Sequence, residues 1–271
     1  MYTREFKGNS LVEFPDSYTV IDIETTGLDP NYDSIIEMAA IRVQNGDIID
    51  KFMSLVKPES YYELSNDTTE NYVIRDGKKI QYVDSFIEEL TGITNEMLAD
   101  APETKKVLSD FMDFLGEDII VGHNVNFDIN FIYDNSEYHL EKIVGNNFID
   151  TMRLSRRLLK NLSRHRLADL SEYFNVEDYG MHRALADCAT TLQCFVGLKA
   201  TVLEQYESIE EFRADVKKSQ SHNLKAGDVT SSIDCYDESH PLYGKICIFT
   251  GVLEKMIRKD AMQIVVNLGG D

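Results

Sequence analysis

The sequence predicts an α/β fold in which a mixed sheet is flanked by helices, and three observations carry that expectation. Three apolar runs with strand patterning follow one another at residues 18–24, 35–43 and 48–56. Asn45-Gly46, between the second and third runs, supplies the two positive-φ positions of a tight hairpin. Helical and short strand patterns then alternate as helix, strand, helix, strand and further helices. A doubly wound fold would not begin with antiparallel strands, so a mixed sheet of five strands is expected.

Residues 1–16 are polar, carry Pro15 near their end, and read as an N-terminal arm before a domain spanning 17–216. In the first strand, Asp22 and Glu24 share one face because side chains alternate, which leaves Val20, Ile21 and Ile23 free to pack. Two like charges held side by side repel, so a fold that keeps them together is suited to holding a cation between them. All-oxygen donors suit a hard ion such as Mg²⁺ or Mn²⁺. Residues 57–81 are polar with an Asp76-Gly77 turn signal, and read as a long loop or small hairpin insertion.

Further along, Thr94 is a candidate N-cap, and Val107, Phe111, Phe114 and Leu115 recur at helical spacing before Gly116. A short buried strand at 119–121 runs into His123-Asn124, after which Phe127, Phe131 and Ile132 share a helical face. Asp128 therefore falls in the first turn of a helix, close to where the strand delivers the chain. Another short strand at 147–151 places Asp150 or Thr151 as the cap of the next helix, and a further helix begins near Leu167. In the last helix, running to about Gln205, Leu185, Cys188, Leu192 and Phe195 form the expected buried stripe. On a continuous helix His182 and Asp187 would lie roughly 140° apart, so His182 is placed on a preceding loop and Asp187 on the helix itself.

Composition restricts the function. A formal charge of −20 argues against a protein that coats polyanions nonspecifically, yet permits a nucleic-acid enzyme with local contacts. Against that background Arg153, Arg156, Arg157, Lys160, Arg164, His165 and Arg166 cluster without an intervening acid, as a candidate phosphate-facing surface. The four cysteines show no C-x-x-C spacing and read as ordinary reduced residues. No apolar run is long enough for a membrane span, and the first residues lack an apolar signal region, so no membrane partner and a cytoplasmic location are expected.

The ordered set Asp22-x-Glu24, His123-Asn124-x-x-Phe127-Asp128 and His182-x-x-x-x-Asp187 resembles the DEDDh exonuclease family, which has an RNase H-like fold. The resemblance covers residues 17–200, including Thr25-Thr26-Gly27, Gly92-Ile93-Thr94 and Asp150-Thr151, and within the family it is strongest to the proofreading epsilon type of bacterial DNA polymerase III. It implies that Asp22, Glu24, Asp128 and Asp187 hold two divalent ions, Mg²⁺ or Mn²⁺, and that His182 is the general base. Two such ions can activate water, neutralise phosphate charge and stabilise the departing 3′ oxygen. Imidazole, with a usual pKa of about 6.5, can accept the water's proton near neutrality. Thr25, Thr26 and Gly27 are expected to bring backbone groups to the terminal nucleotide. Asn124 and Phe127 are candidate substrate contacts that also have structural readings, and His123 is a candidate supporting residue.

Residues 217–240 read as a polar linker. Residues 241–271, with a strand pattern at 244–251 and a helix at 258–268, resemble the opening of a BRCT domain. About thirty residues cannot bury a core of their own, so this would be an incomplete unit. The expected activity is 3′–5′ exonucleolytic release of nucleoside monophosphates from single-stranded DNA or DNA 3′ ends, in proofreading or repair, with a DNA polymerase subunit as partner. The alternatives are an exoribonuclease on the same scaffold and a noncatalytic docking module.

Overall fold

The computed structural model describes residues 4–69, 71–176, 183–221, 240–248 and 258–270, and the chain divides into two compact units, Met1–Gln205 and Tyr206–Asp271. In the first unit the three opening strands form as expected: β2 (Ser17–Thr25), β3 (Ile35–Gln44) and β4 (Asp47–Leu55) make an antiparallel meander. Asn45 and Gly46 turn β3 into β4 at φ 53° and 88°. β1 is Ser10–Leu11, β8 is Ile120–Gly122 and β9 is Phe148–Asp150. The order β1-β9-β8-β2-β3-β4 joins the meander to a parallel half.

The sheet thus has six strands where five were expected. The sixth comes from the N-terminal arm, in which Ser10 and Leu11 pair in parallel with Phe148 and Ile149. Lys7 Nζ donates to the side-chain oxygens of Asn126 and Asn130 at 2.7 Å each, Arg4 pairs with Asp134, and Phe14 stacks on Phe195. A polar segment with few apolar residues gave no strand periodicity, yet its backbone completes an edge and its cations find helix-borne partners.

The 57–81 insertion is a small sheet of its own, with β5 (Tyr62–Leu64) and β6 (Val73–Arg75) on either side of β7 (Lys78–Gln81). The helices α1 (Ser85–Thr91) and α2 (Asn95–Ala99) follow, the second capped by the Thr94 hydroxyl accepting from Met97 N. Ile80, Tyr82, Val83, Ile87, Ile93 and Leu98 join Ile36 in a shared apolar cluster. Asn95 ties this region together, its Oδ1 accepting from the Tyr82 and Val83 amides at 2.6 and 3.1 Å.

α3 (Thr104–Leu115) and α4 (Asn126–Leu140) cover one face of the large sheet, where Ile21, Ile23, Met38, Phe111 and Phe131 are buried together. The other face carries α7 (Ala184–Gln205), which lies on β2 and β3 and is flanked by α5 (Thr151–Leu158) and α6 (Leu167–Phe174). The buried stripe of α7 keeps Cys188 and Phe195 of the expected four residues but not the two leucines. Ala184, Cys188, Thr191, Phe195 and Leu198 face the sheet, whereas Leu185 and Leu192 are half-buried beside it. Small side chains let the helix sit close, so that Cys188 Sγ lies 3.7 and 3.6 Å from the carbonyl oxygens of Val20 and Ala39.

In the second unit the segment read as linker from residue 217 begins inside α8 (Ile209–Ser221). The rest of that segment, 222–239, falls outside the described residues. Helix α9 (Arg258–Asn267) matches the expectation; of the expected strand at 244–251, residues 249–251 lie outside the described residues and 245–248 form no strand. Among the described residues they have no ladder partner, and Ile246 and Ile248 are 79% and 83% exposed. An extended apolar pattern without an edge to join cannot satisfy its backbone as a strand.

Candidate active site

β2 ends where the site begins. Val20, Ile21 and Ile23 are buried, while Asp22 and Glu24 alternate onto the α7 side, opposite Ala39 and Glu37 of β3. The register with β3 shifts between Glu24 and Thr25, and the chain leaves the sheet there. The following loop is closed by its own threonines. Thr25 Oγ1 donates to the Gly27 carbonyl at 2.6 Å, and the Ser34 amide donates to Thr26 Oγ1 at 2.9 Å. A Cβ on Gly27 would meet the Asp33 carboxylate at 2.5 Å and displace the group that accepts from the Asp29 amide at 2.9 Å. Both threonine side chains are thus committed to loop shape, which leaves backbone groups as the surface this loop can offer.

Asp187 arrives from the first turn of α7, as expected. Single carboxylate oxygens of Asp22, Glu24 and Asp187 all lie within 4.8 Å of one another, and the three residues are half-buried. Asp128, in the first turn of α4, is buried beside them but outside that oxygen group, and its Oδ1 accepts from the Ile23 amide at 3.1 Å. The crossover from β8 to α4 packs tightly on β2: a Cβ on Gly122 would meet Val125 at 2.5 Å and the Ile21 carbonyl at 3.2 Å.

These acids hold protons unusually tightly. Desolvation, then the charges of Asp128, Asp187, Glu24 and Glu37, push Asp22 well above the usual carboxylate range. Desolvation and the charges of Asp187, Glu37 and Asp128 raise Glu24 to about 8, against a small opposing effect of Arg183. Asp128 is raised mainly by burial, opposed by hydrogen bonds from its own backbone amide and that of Ile23. Such a cluster can become fully ionised at neutral pH if a cation joins it.

The remaining expected residues divide. Asn124 takes φ 58°, and its amide donates to Asp150 Oδ1 at 3.0 Å, so its position shapes the turn. Phe127 packs against Phe131 with ring centroids 4.9 Å apart and leans on the core. His123 is held by Thr151 Oγ1 at 3.0 Å, and burial lowers its pKa to about 4. His182, the expected general base, lies outside the described residues, which resume at Arg183.

Sequence reasoning missed Glu37. It is fully buried in β3, where both its oxygens accept from Arg183 and one also accepts from the Ala184 amide at 2.9 Å. The available signal was an acid in the otherwise apolar run 35–41, matched by a lone arginine at the start of α7.

A family model described as "Exonuclease" matches residues 19–78 and 72–195. The DNA polymerase III subunit epsilon of Aquifex aeolicus is 34% identical over 180 residues, covering 66% of this chain and 79% of that protein. A PolC-type DNA polymerase III of Bacillus subtilis is 38% identical over 177 residues, covering 65% of this chain. This chain spans only 11% of the length of that polymerase. Among solved structures, the zinc-bound complex of E. coli ExoI with single-stranded DNA aligns at TM-score 0.54 and 17% identity, covering 73% of this chain and 43% of that one, a likeness of fold alone. By sequence and by fold, the chain belongs to the exonuclease family.

Proposed function

We propose that this chain is a divalent-metal-dependent 3′–5′ exonuclease acting on DNA, in proofreading or repair, and the single observation that carries the reading is the Asp22–Glu24–Asp187 oxygen cluster. The donor set fits a hard dication: every donor is a carboxylate oxygen, the oxygens converge, and the nearby guanidinium of Arg183 is held by Glu37 rather than by them. Asp22, Glu24 and Asp187 would hold Mg²⁺ or Mn²⁺, with Asp128 beside them completing a set for two ions. When bound, such ions supply Lewis acidity to the attacking water, the phosphoryl oxygens and the leaving 3′ oxygen.

The chain's own groups do the rest. An imidazole nitrogen of His182 takes the proton from the attacking water, a role suited to its usual pKa of about 6.5. Backbone groups of Thr25, Thr26 and Gly27 position the terminal nucleotide, with Asn124 and Phe127 fixing the neighbouring turn. The exposed cations Arg153, Arg156, Lys160 and Arg164 offer a track for phosphates upstream of the 3′ end. Two polymerase III relatives support DNA as substrate and a polymerase as partner. The BRCT-like reading of 241–271 keeps its helix but shows no strand over its described residues 245–248, so the preference for DNA rests on those relatives instead.

An exoribonuclease remains the second reading, because the same fold occurs in a 3′-exonuclease solved with a histone mRNA stem-loop, at TM-score 0.52 and 18% identity. End-labelled single-stranded DNA and RNA of matched sequence, incubated with Mg²⁺, Mn²⁺ or chelator, decide between them. Stepwise loss of monophosphates from the 3′ end of DNA, abolished by chelation, Asp22→Ala or His182→Ala, is the expected result. Faster digestion of RNA favours the second reading, and binding without cleavage of either strand favours a docking module.

A further inference from the structure

Glu37 lies in the most enclosed part of β3, with Ile36 and Met38 on either side at 0% exposure. A carboxylate there is costly unless it is paired and fully hydrogen-bonded. It receives the Arg183 Nη2 donor at 2.7 Å, the Nε donor shared between its two oxygens at 3.2 Å, and the Ala184 amide at 2.9 Å. Ala184 is the first residue of α7, so this amide is one of the donors that a helix start leaves without an internal partner. Glu37 therefore caps α7 from a neighbouring strand, and places negative charge at the positive end of the helix.

Both ends of this arrangement touch the acid cluster. Glu37 is the register partner of Glu24 across the β2–β3 ladder. Arg183, which follows His182 directly in the chain, grips Glu37 with its side chain and accepts the Asp187 amide with its carbonyl at 3.0 Å. A short path thus runs from Glu24 on β2, through Glu37 on β3 and Arg183, to the backbone of Asp187. We propose that Glu37 and Arg183 form a latch that positions the first turn of α7, and with it Asp187, against the β2 end for divalent-metal binding. Neither is a ligand; both act through Asp187. This deepens the reading of Asp22, Glu24 and Asp187 as metal ligands and rests on it.

The test uses Glu37→Gln, which keeps size and one acceptor but removes the charge, together with Arg183→Ala, Arg183→Lys and the double variant Glu37→Gln/Arg183→Ala. Three quantities are read on the whole chain: Mn²⁺ affinity by electron paramagnetic resonance, hydrogen exchange of the 184–188 amides without metal, and kcat and KM on a DNA oligonucleotide. The expected result for Glu37→Gln and Arg183→Ala is Mn²⁺ binding weakened about tenfold or more, the scale seen when groups that orient metal ligands are removed. Exchange quickens in 184–188 and stays unchanged in 195–202, and kcat falls with KM within about twofold. Arg183→Lys recovers part of each loss, and the double variant is no worse than the worse single one. Wild-type Mn²⁺ affinity and exchange in the folded variants overturn the latch, as does multiplication of the two effects in the double variant. If Glu37→Gln fails to fold, the two single Arg183 variants decide. Failure of the underlying metal reading looks different: wild-type chain and Asp22→Asn then bind Mn²⁺ equally, while the exchange measurement still reports on the latch.

Discussion

Two groups of acids lie at the same end of the sheet and meet opposite treatment. Glu37 is fully buried, yet every hydrogen bond it receives comes from a donor fixed in position, and a guanidinium balances its charge. Asp22 and Glu24 are less buried, and the charges of neighbouring acids raise the pKa of both. Evenly compensated charge is what a fold needs to be stable; uncompensated charge held in place is what a ligand site needs. The same residue type therefore serves structure on β3 and function on the adjacent strand β2, at positions that pair across the ladder.

The largest way to break the contrast is at the cluster itself. Asp187→Asn should lower exonuclease rate by about 10³-fold or more, the scale on which a member of a concerted catalytic unit acts. Its melting temperature without metal should stay level or rise. A rate within tenfold of wild type would separate Asp187 from the chemistry. At the compensated position the expected damage is to stability instead. Glu37→Ala strands the Arg183 guanidinium and the Ala184 amide, and denaturant unfolding should report a loss of about 2 kcal/mol, below the roughly 3–5 kcal/mol of a fully buried pair because Arg183 stays 40% exposed.

Proton binding sharpens the comparison. Glu24 has its pKa raised to about 8, so its protonated form adds stability that is fully present below the usual carboxylate range and is lost as pH rises through 8. The metal-free chain should therefore lose stability between pH 6.5 and 8, and Glu24→Gln should flatten that slope. Measurement above about pH 6.5 avoids His123, whose lowered pKa acts in the opposite direction as pH falls toward 4. An unchanged slope in Glu24→Gln would contradict the assignment. The smallest effect belongs to the basic segment. Arg156→Ala or Lys160→Ala should each reduce the salt dependence of single-stranded DNA binding by about one phosphate contact, with little change in kcat. Identical salt slopes would make that segment merely a solvated surface.

Legibility in the sequence followed the strength of local pattern. β2, β3, β4, α3 and α7 were readable because alternation or helical spacing persists over many residues. β1 was not, since two residues carry no period and their pairing with β9 is set by a partner some 140 positions away. The α7 stripe was right at Cys188 and Phe195 but wrong at Leu185 and Leu192, because leucine outranks alanine and threonine in hydrophobicity, whereas close approach to β2 and β3 selects small side chains. At the site, Asp22, Glu24 and Asp187 were legible from motif spacing, and the structure brings them together. Glu37 was hidden inside a run whose apolar neighbours read simply as a buried strand, because its partner Arg183 is distant in sequence. The insertion's β5, β6 and β7 were blurred for a similar reason: exposed three- and four-residue strands are held by Asn95 and a shared apolar cluster rather than by their own alternation.

The measurement that tests the central claim most directly is thermal melting at pH 8, in chelator and in Mn²⁺, of the chain and of Asp22→Asn/Glu24→Gln. Uncompensated carboxylates predict that the double variant melts higher than wild type in chelator, and that Mn²⁺ raises the wild-type melting temperature but not the variant's. A variant that melts lower in chelator, or that gains as much from Mn²⁺ as wild type does, would mean that these acids stabilise the fold and that the metal binds elsewhere.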